Sequence, residues 1–309
     1  MADKIATRQS YGEALVELGA SHPELVVMDA DLSGSTKTGM FAKAYPDRFF
    51  NMGIAEQGMY ATAAGLALSG KTVCASTFAM FAAGRAYEII RNSIGYTKAN
   101  VKICATHAGI TVGEDGASHQ TFEDIALMRN IPGMTVLNPS DDVSAKKLIA
   151  KAVEMEGPCY IRLGRAAVPV IYDDSVELEI GKGIQLRDGK DVTIIATGIM
   201  ISEAMAAAET LAADGIDARV VDIHTIKPID EEIIIKAAQE TGAIVTAEEH
   251  SVIGGLGSAV SEVVVKNAPV KMAFVGQNDT YGESGKPDEL KAKYGMNADA
   301  IVKAVKGLL

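Results

Sequence analysis

The chain has 309 residues, 48% apolar and 22% charged, with a net charge of −11. That length suits two domains with sizeable cores, and the acidic balance argues against nucleic acid or an anionic membrane as partner. Cys74, Cys104 and Cys159 lie far apart in apolar runs, which reads as reduced thiols in a cytoplasmic protein rather than a disulfide framework or metal site.

The opening stretch MADKIATRQS has no apolar signal region. No run of about 18 apolar residues, the length needed to span a membrane, follows it. Ser10 opens an amphipathic helix to about Gly19, with Ser10 and Glu13 spaced as a capping box. Leu25 to Met28 is a buried strand that ends in the polar loop Asp29-Ala30-Asp31-Leu32-Ser33-Gly34-Ser35. Phe49 to Met52 is a short strand before Gly53-Ile54-Ala55-Glu56-Gln57, from which an Ala- and Gly-rich helix runs to about Leu68. Thr72 to Ser76 is the next strand, followed by Thr77-Phe78-Ala79-Met80-Phe81 and a helix to about Ile94.

Val101 to Ala105 is an apolar strand that leads into a loop from Thr106 to Gln120. The loop has glycines at 109, 113 and 116, and His107 and His119 flank Glu114 and Asp115. Glycine-rich polar loops at the carboxyl ends of buried strands are where open α/β sheets bind ligands. The glycines let backbone approach a ligand closely, and the imidazoles and carboxylates can bond hydroxyls and move protons near neutral pH. A helix near Phe122 to Arg129, a strand at Met134 to Leu137, a helix from Ser140 to Met155 and a strand at Tyr160 to Leu163 follow, ending at Gly164-Arg165. Strands alternating with helices predict a parallel, doubly wound sheet.

From about Ala166 to Lys190 that rhythm breaks. Val176 to Leu186 alternates apolar and polar between turn signals, which predicts a linker with a small β-hairpin. A second α/β unit has strands near Val192–Ala196, Ala218–Ile223, Ala243–Ala247 and Lys271–Val275. The expected fold class is therefore α/β, two doubly wound domains with mostly parallel sheets, over residues 1–170 and 191–309 with a linker at 171–190. Gly282-Glu283-Ser284-Gly285-Lys286 imitates a phosphate loop but is followed by Pro287, and Gly254 to Ser258 lacks the last glycine of a dinucleotide loop.

The pattern TH-x5-GEDG-x-x-HQ, Thr106 to Gln120, resembles the substrate loop of transketolases. The resemblance runs from Ala6-Thr7-Arg8 to the segment Gly282–Lys286. By itself Glu56 in a first helical turn only complements the helix dipole, and Phe78 and Phe81 are ordinary core aromatics. In the GIAEQ context the resemblance makes Glu56 the carboxyl group that stabilises the imino tautomer of thiamine diphosphate. It assigns Phe78 and Phe81 to the pocket stacking on the aminopyrimidine. The family's third aromatic falls on Gly84, and Tyr87 stands one helical turn on as its substitute. Asp31 matches an acidic residue beside the thiazolium ring. Arg8, Ser35, His107 and Arg165 match positions that hold the sugar's terminal phosphate, and Asp115 and His119 match those contacting its hydroxyls and carbonyl. The implied catalytic residues are Glu56, His107 and His119.

The family's Gly-Asp-Gly…Asn signature, which holds metal and diphosphate, has no counterpart in the sequence. The resemblance therefore implies no metal ligands here. It implies thiamine diphosphate with Mg2+ or Ca2+ held by a partner, the N-terminal transketolase subunit, with two copies of each chain in a heterotetramer. The implied reaction is ketol transfer from a ketose phosphate to an aldose phosphate, as in the pentose phosphate pathway, with the second domain serving mainly in dimer contact. A 2-oxoacid dehydrogenase beta subunit, a deoxyxylulose-phosphate synthase fragment and a non-catalytic scaffold are the alternatives.

Overall fold

A computed structural model describes residues 4–309; the first three positions of the expected first domain and of MADKIATRQS lie outside them. Leu25–Asp29 (β2), Thr72–Phe78 (β4) and Val101–Thr106 (β5) are buried along their whole length. Helices cover both faces of these strands, so they read as continuous apolar runs rather than alternating ones. With Phe49–Asn51 (β3), Thr135–Leu137 (β6), Cys159–Arg162 (β7) and Thr225–Lys227 (β12) they form a seven-stranded sheet of order β12-β6-β7-β5-β4-β2-β3. All its pairings are parallel except that of β12 with β6. The register pairs Asp29 with Ser76 and Phe78 with Thr106, so the loops after β2, β4 and β5 emerge side by side at the carboxyl end of the sheet.

The second sheet has the order β14-β13-β10-β11-β9, from Ile184–Arg187 (β9), Val192–Ala196 (β10), Ala218–Asp222 (β11), Ala243–Ser251 (β13) and Lys271–Gln277 (β14). It is parallel apart from its edge strand β9. The architecture is thus α/β with two mostly parallel sheets, as the alternation predicts. The cysteines are free and buried, and burial pushes the Cys159 thiol up to about 12. Among the described residues no helix is long and apolar enough to cross a membrane.

The predicted hairpin does not form. Lys4–Ala6 (β1) pairs antiparallel with Ala167–Pro169 (β8), tying the two ends of the first unit together, while β9 joins the second sheet beside β11. The alternating pattern marked a half-buried edge strand, whose partner is a distant strand and not its neighbour. The capping box at Ser10 is likewise absent. The first helix spans Thr7–Ser21, Ser10 is buried inside it with its hydroxyl on the Ala6 carbonyl, and Glu13 pairs with Lys146 at 2.8 Å. The helix starts early because the Gly164 N–H donates to the Thr7 hydroxyl at 2.8 Å, docking its first turn on the end of β7.

Candidate functional site

That docking places Arg8 at the carboxyl end of the sheet. Its Nη1 donates to the Ser35 carbonyl at 3.0 Å and to His107 Nε2 at 3.1 Å. A guanidinium can only donate, so Nε2 of His107 is the acceptor and Nδ1 carries the proton, donating to Thr106 Oγ1 at 2.9 Å. His107 is therefore a neutral imidazole of one defined tautomer. Burial, then the charges of Arg8 and Arg165, hold its pKa down to about 3. Burial and the charge of Arg165 also lower the pKa of Arg8, against the opposing charge of Asp115. Residues 8, 107, 115 and 165 thus feel one another across the folded chain. Arg165 donates to the Val112 carbonyl and to Glu114, both at 2.9 Å, and stays one-third exposed. This corner brings two arginines together, with Glu114 paired to Arg165 and Asp115 near Arg8, so an anionic group would bind here by displacing those carboxylates.

His107 has a left-handed backbone, φ 58°. Such a conformation in a non-glycine residue persists only where the surroundings over-determine it, and functional sites are where that occurs. It turns the imidazole onto Phe78, with ring centres 3.8 Å apart and planes at 23°. Phe78 in turn stacks on Phe81 at 5.9 Å. His119 meets Phe81 edge-on at 5.4 Å and Phe78 at 6.1 Å.

Glu56 begins the helix Glu56–Leu68 and its side chain is 4% exposed. Its carboxylate is held by Arg85, whose Nη1 donates to both oxygens at 2.9 and 3.0 Å. The same guanidinium lies 4.8 Å from the Phe81 ring centre. A run of contacts therefore joins Glu56, Arg85, Phe81, Phe78, His107, Arg8 and Ser35. Arg85 is the member of this run that no sequence motif marks. The only signal available was its place seven residues beyond Phe78, which matches no motif.

Two of the expected cofactor residues stand apart from this run. Asp31 is exposed, with φ 64°, and its carboxylate accepts from Asn51 at 3.0 Å. Tyr87 is half-buried against the hydrophobic core of the first unit. The rings meeting Phe78 and Phe81 are each other's and those of the two histidines. The cause is a phase change: Met80–Arg85 and Ile90–Gly95 wind as π-helix, so a residue expected one α-turn onward is rotated away.

The two glycine look-alikes also find their roles. Glu248 accepts the N–H groups of Leu256 and Gly257 at 2.7 and 2.8 Å, so the chain's own carboxylate fills the start of the helix Leu256–Asn267. The Glu283 carbonyl accepts Gln120 Nε2 at 2.9 Å, which sets the segment 282–286 against the loop 107–120. Among the described residues no group of three or more His, Cys, Asp or Glu is arranged to hold a metal ion.

Known proteins resemble this chain in sequence and fold. The family model for the transketolase pyrimidine binding domain matches residues 3–170, and that for the transketolase C-terminal domain matches residues 181–301. The chain belongs to the transketolase family. A protein of Methanocaldococcus jannaschii, provisionally named a transketolase C-terminal section, is 55% identical over 301 residues, 96% of this chain and 94% of that one. The 6-deoxy-6-sulfo-D-fructose transketolase subunit SqwH of a Clostridium species is 43% identical over 297 residues, 96% of this chain and 92% of its own length. A solved structure described as a split gene transketolase, inactive beta4 tetramer, superposes with a TM-score of 0.93 at 57% identity, covering 99% of this chain and 98% of that one.

Proposed function

We propose that this chain is the C-terminal subunit of a two-chain transketolase. With a partner that supplies the diphosphate-binding domain, it transfers a two-carbon ketol unit from a ketose phosphate to an aldose phosphate. The observation that carries this reading is the unbroken run of contacts from Glu56 to Ser35, which links a pyrimidine corner to a phosphate corner at the carboxyl end of the sheet. The near-full-length match to a split-gene relative described as inactive in a beta4 tetramer supports the need for a second kind of chain.

The residues present fit the pyrimidine end of thiamine diphosphate. Arg85 provides the test: a planar, nitrogen-bearing group already stacks against Phe81 while bonding to the Glu56 carboxylate. An aminopyrimidine asks for the same place, a face on Phe81 and an edge on Glu56, with the hydrogen bond running the other way, from a protonated Glu56 to the ring nitrogen. Glu56 and Phe81 would hold that ring, with Phe78 beside them. When bound, the cofactor supplies the carbon nucleophile that carries the two-carbon unit. The diphosphate and its metal, Mg2+ or Ca2+, belong in this reading to the N-terminal subunit, and two copies of each chain give two equivalent sites.

The chain's own residues do the rest. Once released by Arg85 and protonated, Glu56 would donate a hydrogen bond to the pyrimidine nitrogen and so support the proton chemistry the cofactor supplies. Arg8 and Arg165 attract the terminal phosphate, with the Ser35 loop and His107 beside them. His107 remains neutral and meets the sugar as a hydrogen-bonding group rather than as an acid. Asp115 and His119 face the sugar's hydroxyls and carbonyl from the other end of the loop, and Asp31 lies on the neighbouring loop toward the thiazolium side. The test is ketol transfer over a panel of sugar phosphates by the chain mixed with a diphosphate-domain subunit. Activity toward 2-oxoacids with none toward ketose phosphates would overturn the reading.

A further inference from the structure

Consecutive residues of β13 serve different ends. Glu248 caps its own domain's helix, whereas Glu249 crosses to the first domain. Glu249 is 3% exposed, and its Oε1 accepts the backbone N–H of Thr111, inside the loop 107–120, at 2.7 Å. Its Oε2 lies 3.7 Å from Arg162 Nη1. Arg162 is itself fixed, with Nε donating to Asp124 and Nη2 to the Glu249 carbonyl, both at 2.8 Å. Gly109, with φ 77°, lies directly against this carboxylate, and a Cβ there would collide with it. The loop can therefore close on Glu249 only with glycine at 109.

The loop's far end is fastened to the same domain, through Gln120 on the Glu283 carbonyl and through Gly116 packed on Ser284. Between these anchors sit the exposed Asp115 and the half-buried His119, and the left-handed His107 lies two residues before Gly109. Burial pushes the Glu249 pKa up, and a buried Arg–Glu pair as a whole contributes little net stability compared with well-packed apolar residues. What Glu249 provides is a fixed position for Thr111 and, through it, for the strained turn that carries His107. The second domain would then do more than make dimer contacts.

We propose that Glu249 is a positioning residue for the sugar: from the second domain it holds the loop 107–116 in the conformation that presents His107 and Asp115 to substrate. The proposal rests on reading that loop as the sugar loop.

The experiment compares Glu249→Ala and Glu249→Gln with the wild-type chain, each assembled with the diphosphate-domain subunit. Misplacement of substrate by about 1 Å costs on the order of 100-fold. Glu249→Ala is therefore expected to lower kcat/KM for a ketose phosphate by about 10–100-fold, with a raised KM. Thiamine diphosphate affinity should change less than about twofold, because that corner is untouched. Amide exchange should accelerate in peptides covering 108–116. Glu249→Gln keeps an oxygen for the Thr111 N–H and should recover most of the loss. Unchanged kcat/KM in Glu249→Ala overturns the proposal even if exchange accelerates. Equal loss of sugar and cofactor binding, or no recovery by Glu249→Gln, overturns it as well. A wild-type assembly that turns over no sugar phosphate overturns the functional reading itself, whereas these outcomes leave that reading standing.

Discussion

Arg85 and Glu56 form an ion pair across the pyrimidine corner, with one guanidinium nitrogen 2.9 and 3.0 Å from the two carboxylate oxygens. Glu56 is buried and Arg85 half-exposed. In this state the carboxyl group is ionised and occupied, the opposite of what pyrimidine activation requires. In the proposed reading, cofactor binding would therefore move Arg85.

The first prediction follows from that competition. A half-exposed ion pair contributes about 0.2–1 kcal/mol, which is about 1.4–5-fold in an equilibrium. Arg85→Ala should tighten thiamine diphosphate binding by the assembled enzyme within that range, read by titration calorimetry. Weaker binding in the variant would show that Arg85 holds the cofactor rather than its place.

Glu56 itself is the second test. Glu56→Gln keeps the helix start and removes the acid. Exchange of the cofactor's thiazolium proton, followed by NMR in the assembled enzyme, should slow by about 100–10,000-fold. Unchanged exchange would remove Glu56 from the mechanism.

The phosphate corner gives the third. A hydrogen bond to a charged group contributes about 1.5–3 kcal/mol, or about 10–150-fold in affinity. Arg165→Ala should raise KM for phosphorylated ketoses by that factor and leave unphosphorylated ketoses nearly unaffected, since phosphate lies far from the breaking bond. Equal loss on both substrate types would refute the assignment.

The fourth concerns pH. Burial, Arg8 and Arg165 depress His107 from 6.5 to about 3. For a histidine lowered on folding, the stability contribution is complete above pH 6.5 and is lost as pH falls toward 3. The His107 ring resonances should therefore not titrate between about pH 5 and 8, and the chain should lose stability below that window. Arg8→Met should raise the pKa only in part, because burial is the larger cause. A midpoint near 6.5 in the native chain would contradict the geometry.

Much of the fold was legible because parallel strands covered on both faces leave unmistakable apolar runs, as in β2, β4 and β5. The pairings of β1 with β8, β9 with β11 and β12 with β6 were not, since each joins segments far apart in sequence and local pattern names no partner. The loop 106–120 and GIAEQ were readable as motifs, and the structure brings Arg8, the Ser35 carbonyl and His107 into contact. Tyr87, placed by α-helical spacing, lies between two π-helical segments and packs on the first unit's core without meeting the rings of Phe78 and Phe81. Arg85 and Glu249 act through tertiary contacts alone, with partners 29 and 138 residues away, and no local signal marks them.

In the proposed reading this chain holds half of an active site. Purified alone, with thiamine diphosphate and magnesium ion, it should bind cofactor poorly and show no ketol transfer. Adding a diphosphate-domain subunit should produce turnover together with an assembly of two copies of each chain by light scattering. Turnover by the isolated chain at the rate of the mixture would contradict the account.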